Sequence, residues 1–215
     1  MIRSFTILVL AVLWVAPVQG QNSKKLQRIT KKPSTFYIAE VSAGGAFGTG
    51  FAERSMGYAL RTTLGVGGSF GSYAPRFYAI GVARKGSLGA QVTKGTQVSE
   101  ITRELLDFSA GLRVLVPYDR FRALFEFTMG RSFVVSTALI NARERYNADE
   151  KRFTFYTALG GQYRFNLNFS MGVLVEWSLP TSREFKDLIL EVSRVEDNDE
   201  LHGWTTVTAT AQFHF

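Results

Sequence analysis

The segment Thr205-Thr206-Val207-Thr208-Ala209-Thr210-Ala211-Gln212-Phe213-His214-Phe215 alternates polar and apolar residues up to a terminal aromatic side chain. A two-residue period places one face of a strand in each of two environments. An exposed strand edge invites pairing with another chain, and terminal residues fray unless they are tied down, so a soluble domain rarely finishes this way. A closed barrel has no free edge, which makes it the architecture that most readily accommodates such a segment.

The same period recurs upstream and defines eight strands. The first runs from about Thr35 to Phe47, with Tyr37, Ala39, Val41 and Ala43 opposite Ile38, Glu40, Ser42 and Gly44. The others are Tyr58–Phe70, Arg76–Arg84, Leu106–Val116, Phe121–Gly130, Phe153–Phe165, Phe169–Leu179 and the terminal strand. The third groups Tyr78, Ile80 and Val82, but its two faces differ little in polarity and its facing stays open. Apolar faces of about 9 to 11 residues match a tilted strand crossing a bilayer.

Connections alternate in length. Gly71–Pro75, Pro117–Arg120 and Phe165–Asn168 are tight and rich in turn residues. Phe47–Gly57, Lys85–Glu100, Arg131–Lys151 and Pro180–Gly203 are long, mostly polar, and expected as loops on the opposite side. The reading is therefore all-β: an eight-stranded antiparallel up-and-down transmembrane β-barrel over residues 34–215.

The N-terminus carries a different signal. Arg3 precedes an apolar run from Phe5 to Val18, followed by Gln19 and Gly20, and residues 1–20 read as a cleaved secretory signal peptide. An uncleaved anchor helix fits less well, because the run is short. Residues 21–33, with Lys24, Lys25, Arg28, Lys31 and Lys32, read as a basic periplasmic tail. The absence of cysteine excludes disulfides and thiolate metal sites. The formal net charge of +7 favours polyanions. Export argues against nucleic acid, leaving lipid phosphates as the expected anions.

Alternation alone also suits a soluble lipocalin-type barrel with its apolar face inward. The polar faces of these strands hold no lysine and many Gly, Ser, Thr and Ala. Eight strands leave an interior that side chains just fill, so the small polar face is expected inside and the aromatic face against lipid. Lumen charges then need partners. Alternating strand directions place Glu40, Arg113, Arg122, Glu126 and Arg164 in the periplasmic half and Arg61, Asp107 and Glu176 in the outer half. Two ion-pair clusters are expected to plug the barrel, in preference to a polar pore.

Catalytic, cofactor and metal sites are not expected. His202 with Ser193, Asp197, Asp199 and Glu200 reads as solvated loop, and the acidic run 196–200 lacks the ligand spacing of a calcium loop. Gly44, Gly45, Gly48 and Gly50 lack the Lys-Ser/Thr of a phosphate loop.

The terminal pattern Val207, Ala209, Ala211, Phe213, Phe215 resembles the C-terminal assembly signal of bacterial outer-membrane barrels. With the loop alternation, the chain is similar to the small OmpA-like and OmpX-like barrel families. The resemblance implies a monomeric, non-enzymatic protein of the bacterial outer membrane, delivered by the barrel-assembly machinery. It would contact outer-membrane lipids and lipopolysaccharide and use its outer loops for surface interaction or envelope integrity. The alternatives are a narrow channel, a lipid-modifying enzyme at the rim, and the soluble lipocalin-like binder.

Overall fold

The computed structural model describes residues 34–49, 55–69, 75–94, 96–180 and 203–215. The signal peptide, the basic tail, the 70–74 turn region and the His202 loop of the sequence reading lie outside them. Eight strands follow in chain order: β1 Ser34–Thr49, β2 Met56–Ser69, β3 Arg76–Lys94, β4 Gln97–Tyr118, β5 Phe121–Ile140, β6 Glu144–Arg164, β7 Phe169–Pro180 and β8 Gly203–His214. Each pairs antiparallel with its neighbours and β1 pairs with β8, closing the barrel. Closure supplies every strand with partners on both sides, the condition for a sheet to sit in lipid.

The closing seam sets Ala39 opposite Phe213 and Ala43 opposite Ala209. It ends in reciprocal bonds, with Tyr37 N–H donating to the Phe215 carbonyl at 3.1 Å and Phe215 N–H to the Tyr37 carbonyl at 3.0 Å. The terminal aromatic therefore takes part in the ladder.

Tyr37, Leu64, Phe108, Leu112, Phe121, Met171 and Val207 all point outward and are exposed. On β4 the outward row stays apolar from Leu106 to Val116 and turns polar above it at Glu104, Thr102 and Glu100. Eleven tilted strand residues cover roughly 25 Å along the barrel axis, close to the apolar height of a bilayer. Around the end that carries the C-terminus, ring contacts run from Phe121 to Tyr163, Phe165, Phe169 and Phe213, with centroids 5.1–5.9 Å apart. Such a girdle suits the boundary between lipid tails and headgroups.

Two of the expected polar loops are β-sheet instead. β3 and β4 pair out to Lys94 and Gln97, and β5 and β6 out to Ile140 and Glu144. Beyond the bilayer both faces of a strand can be polar, so alternation fades there while the ladder continues. The β5–β6 turn is short because Asn141 and Ala142 take left-handed conformations, at φ 48° and 56°. Asn141 tolerates this, and its side-chain carbonyl accepts from Val98 N–H at 2.9 Å, tying the tip to β4.

β3 presents Tyr78, Ile80, Val82 and Arg84 to the lumen, all buried. That settles the facing the sequence left open. Phe77 and the small residues Ala79 and Gly81 face outward and are exposed.

Two lumen glycines let neighbouring strands approach closely. A Cβ on Gly111 would lie 2.0 Å from the Phe127 carbonyl oxygen, and one on Gly130 2.1 Å from that of Phe108. A Cβ on Gly161 would meet nothing within 4 Å. Gly111→Ala is expected to lose about 1–3 kcal/mol through overpacking, whereas Gly161→Ala leaves stability unchanged or slightly raised. Equilibrium urea unfolding of the refolded protein in lipid vesicles, followed by Trp177 and Trp204 fluorescence, measures both.

Candidate functional site

The lumen is layered. On the side of the C-terminus lies an apolar cluster of Ile38, Tyr78, Ile80, Val82, Leu115, Leu124, Ala158 and Leu174. Toward the far end lies a second, formed by Ala46, Ala59, Leu88, Tyr156 and Trp204. Between them sits a band of charge that crosses the barrel.

Arg113 grips Glu40 with both terminal nitrogens, Nη2 to Oε1 at 2.7 Å and Nη1 to Oε2 at 3.0 Å. Its Nε donates to Glu126. Arg61 donates to Glu40 at 3.2 Å and also to Glu126. Arg84 is bidentate on Glu176, Nε to Oε1 at 2.8 Å and Nη2 to Oε2 at 2.7 Å, and reaches Asp107 at 2.7 Å. Thr128 and Ser109 accept further bonds from Arg84, and its guanidinium lies 3.9 Å from the centre of the Tyr156 ring.

All seven charged groups are almost wholly buried. Neutral groups satisfy the remaining lone pairs. Ser132 donates to Asp107 at 2.9 Å, and Gln162 donates to Glu40 at 3.0 Å and to Gln212 at 2.7 Å. Arginine suits this place because its planar fork bonds two carboxylates at once and stays charged when desolvated.

The sequence reading expected two separate clusters, whereas the structure joins them. Arg61 Nε lies 3.6 Å from Glu176, so one guanidinium links the Glu40–Glu126–Arg113 group to the Arg84–Asp107–Glu176 group. Of the eight expected lumen charges, Glu40, Arg61, Asp107, Arg113, Glu126 and Glu176 share this network. Arg122 and Arg164 do not. Arg122 lies beyond Leu124 and bonds His214 and Ser170, while Arg164 sits half-buried near the terminal end of the lumen.

Arg84 was missed because it follows the parity of the ambiguous third strand. Its signal was present all the same, one alternate position beyond Tyr78, Ile80 and Val82. The five residues of the proposed terminal signal form one outward row: Val207, Ala209, Phe213 and Phe215 are exposed and Ala211 is half-buried.

Above the band is a cavity of about 30 Å³, lined by Leu88, Arg103, Leu105, Val134, Arg152 and Trp204 among others. That volume holds little more than ordered water. Below the band, His214 Nε2 is 2.8 Å from Arg122 and 3.0 Å from Ser170 Oγ. A ring nitrogen that accepts from a guanidinium is poorly placed to take a proton from serine.

No protein-family model matches the chain, and no curated protein matches it. Among solved structures it is similar to Neisserial surface protein A, with a TM-score of 0.50 at 10% identity over 85% of this chain and 99% of that one. It is also similar to Ail, the attachment invasion locus protein of Yersinia pestis, with a TM-score of 0.47 at 10% identity over 86% and 100%. The outer membrane enzyme PagL gives 0.45 at 10% over 82% and 97%. These likenesses are of fold. The protein has the fold of the small eight-stranded outer-membrane β-barrels.

Removing one partner from a buried ion-pair network leaves an uncompensated charge and costs about 3–5 kcal/mol. Glu126→Gln is therefore expected to lower the urea midpoint sharply, while Arg145→Gln on the exposed tip of β6 leaves it unchanged. The same fluorescence-monitored unfolding distinguishes them.

Proposed function

We propose that this protein is a non-enzymatic, monomeric integral barrel of the bacterial outer membrane, closed to solutes, that presents its β3–β4 and β5–β6 hairpins at the cell surface for adhesion or envelope integrity. On this reading it is exported by a cleaved signal peptide and inserted by the barrel-assembly machinery, and its rim meets lipopolysaccharide. The observation that carries the proposal is the combination of a lumen filled across its width by the charge band with hairpins that continue beyond the apolar belt. β5 alone runs from Val135, opposite Glu104, to Ile140 beyond that belt, roughly 17 Å of strand.

A conducting pore would need a continuous polar path, and the band with its flanking apolar layers opposes one. The mixed outward face of the hairpins, with Glu100, Thr102 and Glu104 on β4 and Arg145, Asn147, Asp149 and Lys151 on β6, suits contact in water. Basic residues on the hairpins and along the outer edge of the belt, including Lys85, Arg131, Arg143 and Arg145, suit phosphate groups.

The cysteine-free chain allows a direct test of topology. Arg143→Cys is expected to react with a membrane-impermeant maleimide on intact cells, and Asn166→Cys only after the outer membrane is permeabilised. The reverse pattern, or labelling of neither after permeabilisation, would refute the orientation. In planar bilayers the purified protein is expected to give no current steps, and lipid A mass spectra are expected to be the same with and without the gene. Reproducible steps would establish a channel, and a changed lipid A an enzyme.

A further inference from the structure

Charge is unevenly distributed over the outside of the barrel. The charged residues of β1, β2 and β7 are Glu40, Arg61 and Glu176, all buried in the lumen, and β8 carries no Lys, Arg, Asp or Glu. The outward-facing cations among the described strand residues are Lys85 on β3, Arg131 on β5, and Arg145 and Lys151 on β6, all exposed. Three of them meet at one height. Strand register sets Lys85, Leu106, Phe133 and Lys151 side by side across β3–β6, with Ala83, Phe108, Arg131 and Phe153 in the row beneath. Leu106 is the last apolar residue of the outward row on β4, so the upper row marks the edge of the belt.

A cation on the lipid face is costly at mid-bilayer and is tolerated near the interface, where headgroup phosphates come within reach. Arg131 stands just inside the belt between Phe108 and Phe153, so its long side chain has to extend outward to keep its charge among headgroups. Its diagonal neighbour on β6 is Lys151, roughly 7 Å away between backbones. The Lys151 ammonium lies 6.0 Å from the centre of the Phe133 ring, over the same patch. Lys85 shares the row of Lys151 at three strand spacings, roughly 14 Å around the wall. One row further out, Glu104 and Asp149 face outward and repel anions, which holds a phosphate at the height of the cations. Beneath them Phe108, Phe127, Met129 and Phe153 are exposed. Phe127, Phe155 and Phe153 are in ring contact, with centroids 5.3–6.0 Å apart, and form an apolar wall.

We propose that this face of the barrel, from β3 to β6, binds one outer-leaflet lipid that carries two phosphates. Arg131 and Lys151 hold one phosphate, the first as a planar fork and the second as a point charge, and Lys85 holds the other. The aromatic wall beneath takes the acyl chains. The inference rests on the proposed orientation, with the β3–β6 hairpins outside the cell, and adds which face meets lipopolysaccharide and through which groups.

The test uses the full-length mature protein refolded in nonionic detergent. Thermal unfolding is followed during titration with bis-phosphorylated lipid A, with its monophosphorylated form, and with an uncharged diacylglycerol. The expected result is a saturable rise in Tm with bis-phosphorylated lipid A, half-saturated at a concentration at least tenfold below that of the monophosphorylated form, and none with diacylglycerol. Lys85→Gln is expected to abolish the difference between the two phosphorylated forms, and Arg131→Gln to weaken both at least tenfold. Arg120→Gln, on the β4–β5 turn at the opposite end of the barrel, removes the same charge and is expected to respond as wild type.

Wild-type titrations for Lys85→Gln and Arg131→Gln, an equal loss in Arg120→Gln, or saturation by diacylglycerol would each overturn the proposal. All three side chains are exposed, so the variants test binding and not folding. Titration in detergent does not depend on orientation, so its failure removes the site alone. Reversed maleimide labelling would instead remove the orientation, and with it the assignment to the outer leaflet.

Discussion

The barrel depends on bringing opposite charges together away from water. Each carboxylate and guanidinium in the central band loses its hydration on folding, and the loss is offset only if partners arrive in bonding geometry from several strands. Glu40 on β1, Arg61 on β2, Arg84 on β3, Asp107 and Arg113 on β4, Glu126 on β5 and Glu176 on β7 meet this condition together. The band thus couples strands that share no ladder, as where Arg113 on β4 bonds Glu40 on β1. Glycine at Gly111 and Gly130 belongs to the same arrangement, since side chains there would push apart the strands that carry Asp107, Arg113 and Glu126.

Around this band the usual polarity of a folded domain is reversed. Large apolar side chains are exposed outside, and charged ones are buried inside. Each fact explains the other. In lipid the exterior gains nothing from being polar, and in an eight-stranded cylinder the interior is too narrow for bulk water, so charges there must pair with one another. Arg122 differs from the arginines of the band: it bonds His214 and Ser170 in place of a carboxylate.

The strands were legible because alternation survives wherever a strand has lipid on one side and packed lumen on the other. β4, β5, β7 and β8 have that contrast along their bilayer-crossing length. β3 lacks it because its inward residues Tyr78, Ile80 and Val82 belong to an apolar layer of the lumen, so both faces are apolar and parity loses its meaning. Arg84, bound to the same parity, was hidden with them. The hairpin extensions of β3–β6 were illegible for the opposite reason, since neither face there must be apolar.

By itself the sequence determined the two-faced strands, their number, the side that meets lipid and the closure by the terminal segment, because each of these is a local pattern repeated every second residue. Tertiary structure alone decided which charges meet. Gln162 bonds Glu40 across 122 positions of chain, and Arg84 bonds Glu176 across 92. Such pairings depend on strand tilt and stagger around a closed cylinder, which no local period encodes. The same geometry placed Arg61 between two expected clusters and made them one, and among the described residues it set Arg122 against His214 and Ser170 instead of a carboxylate.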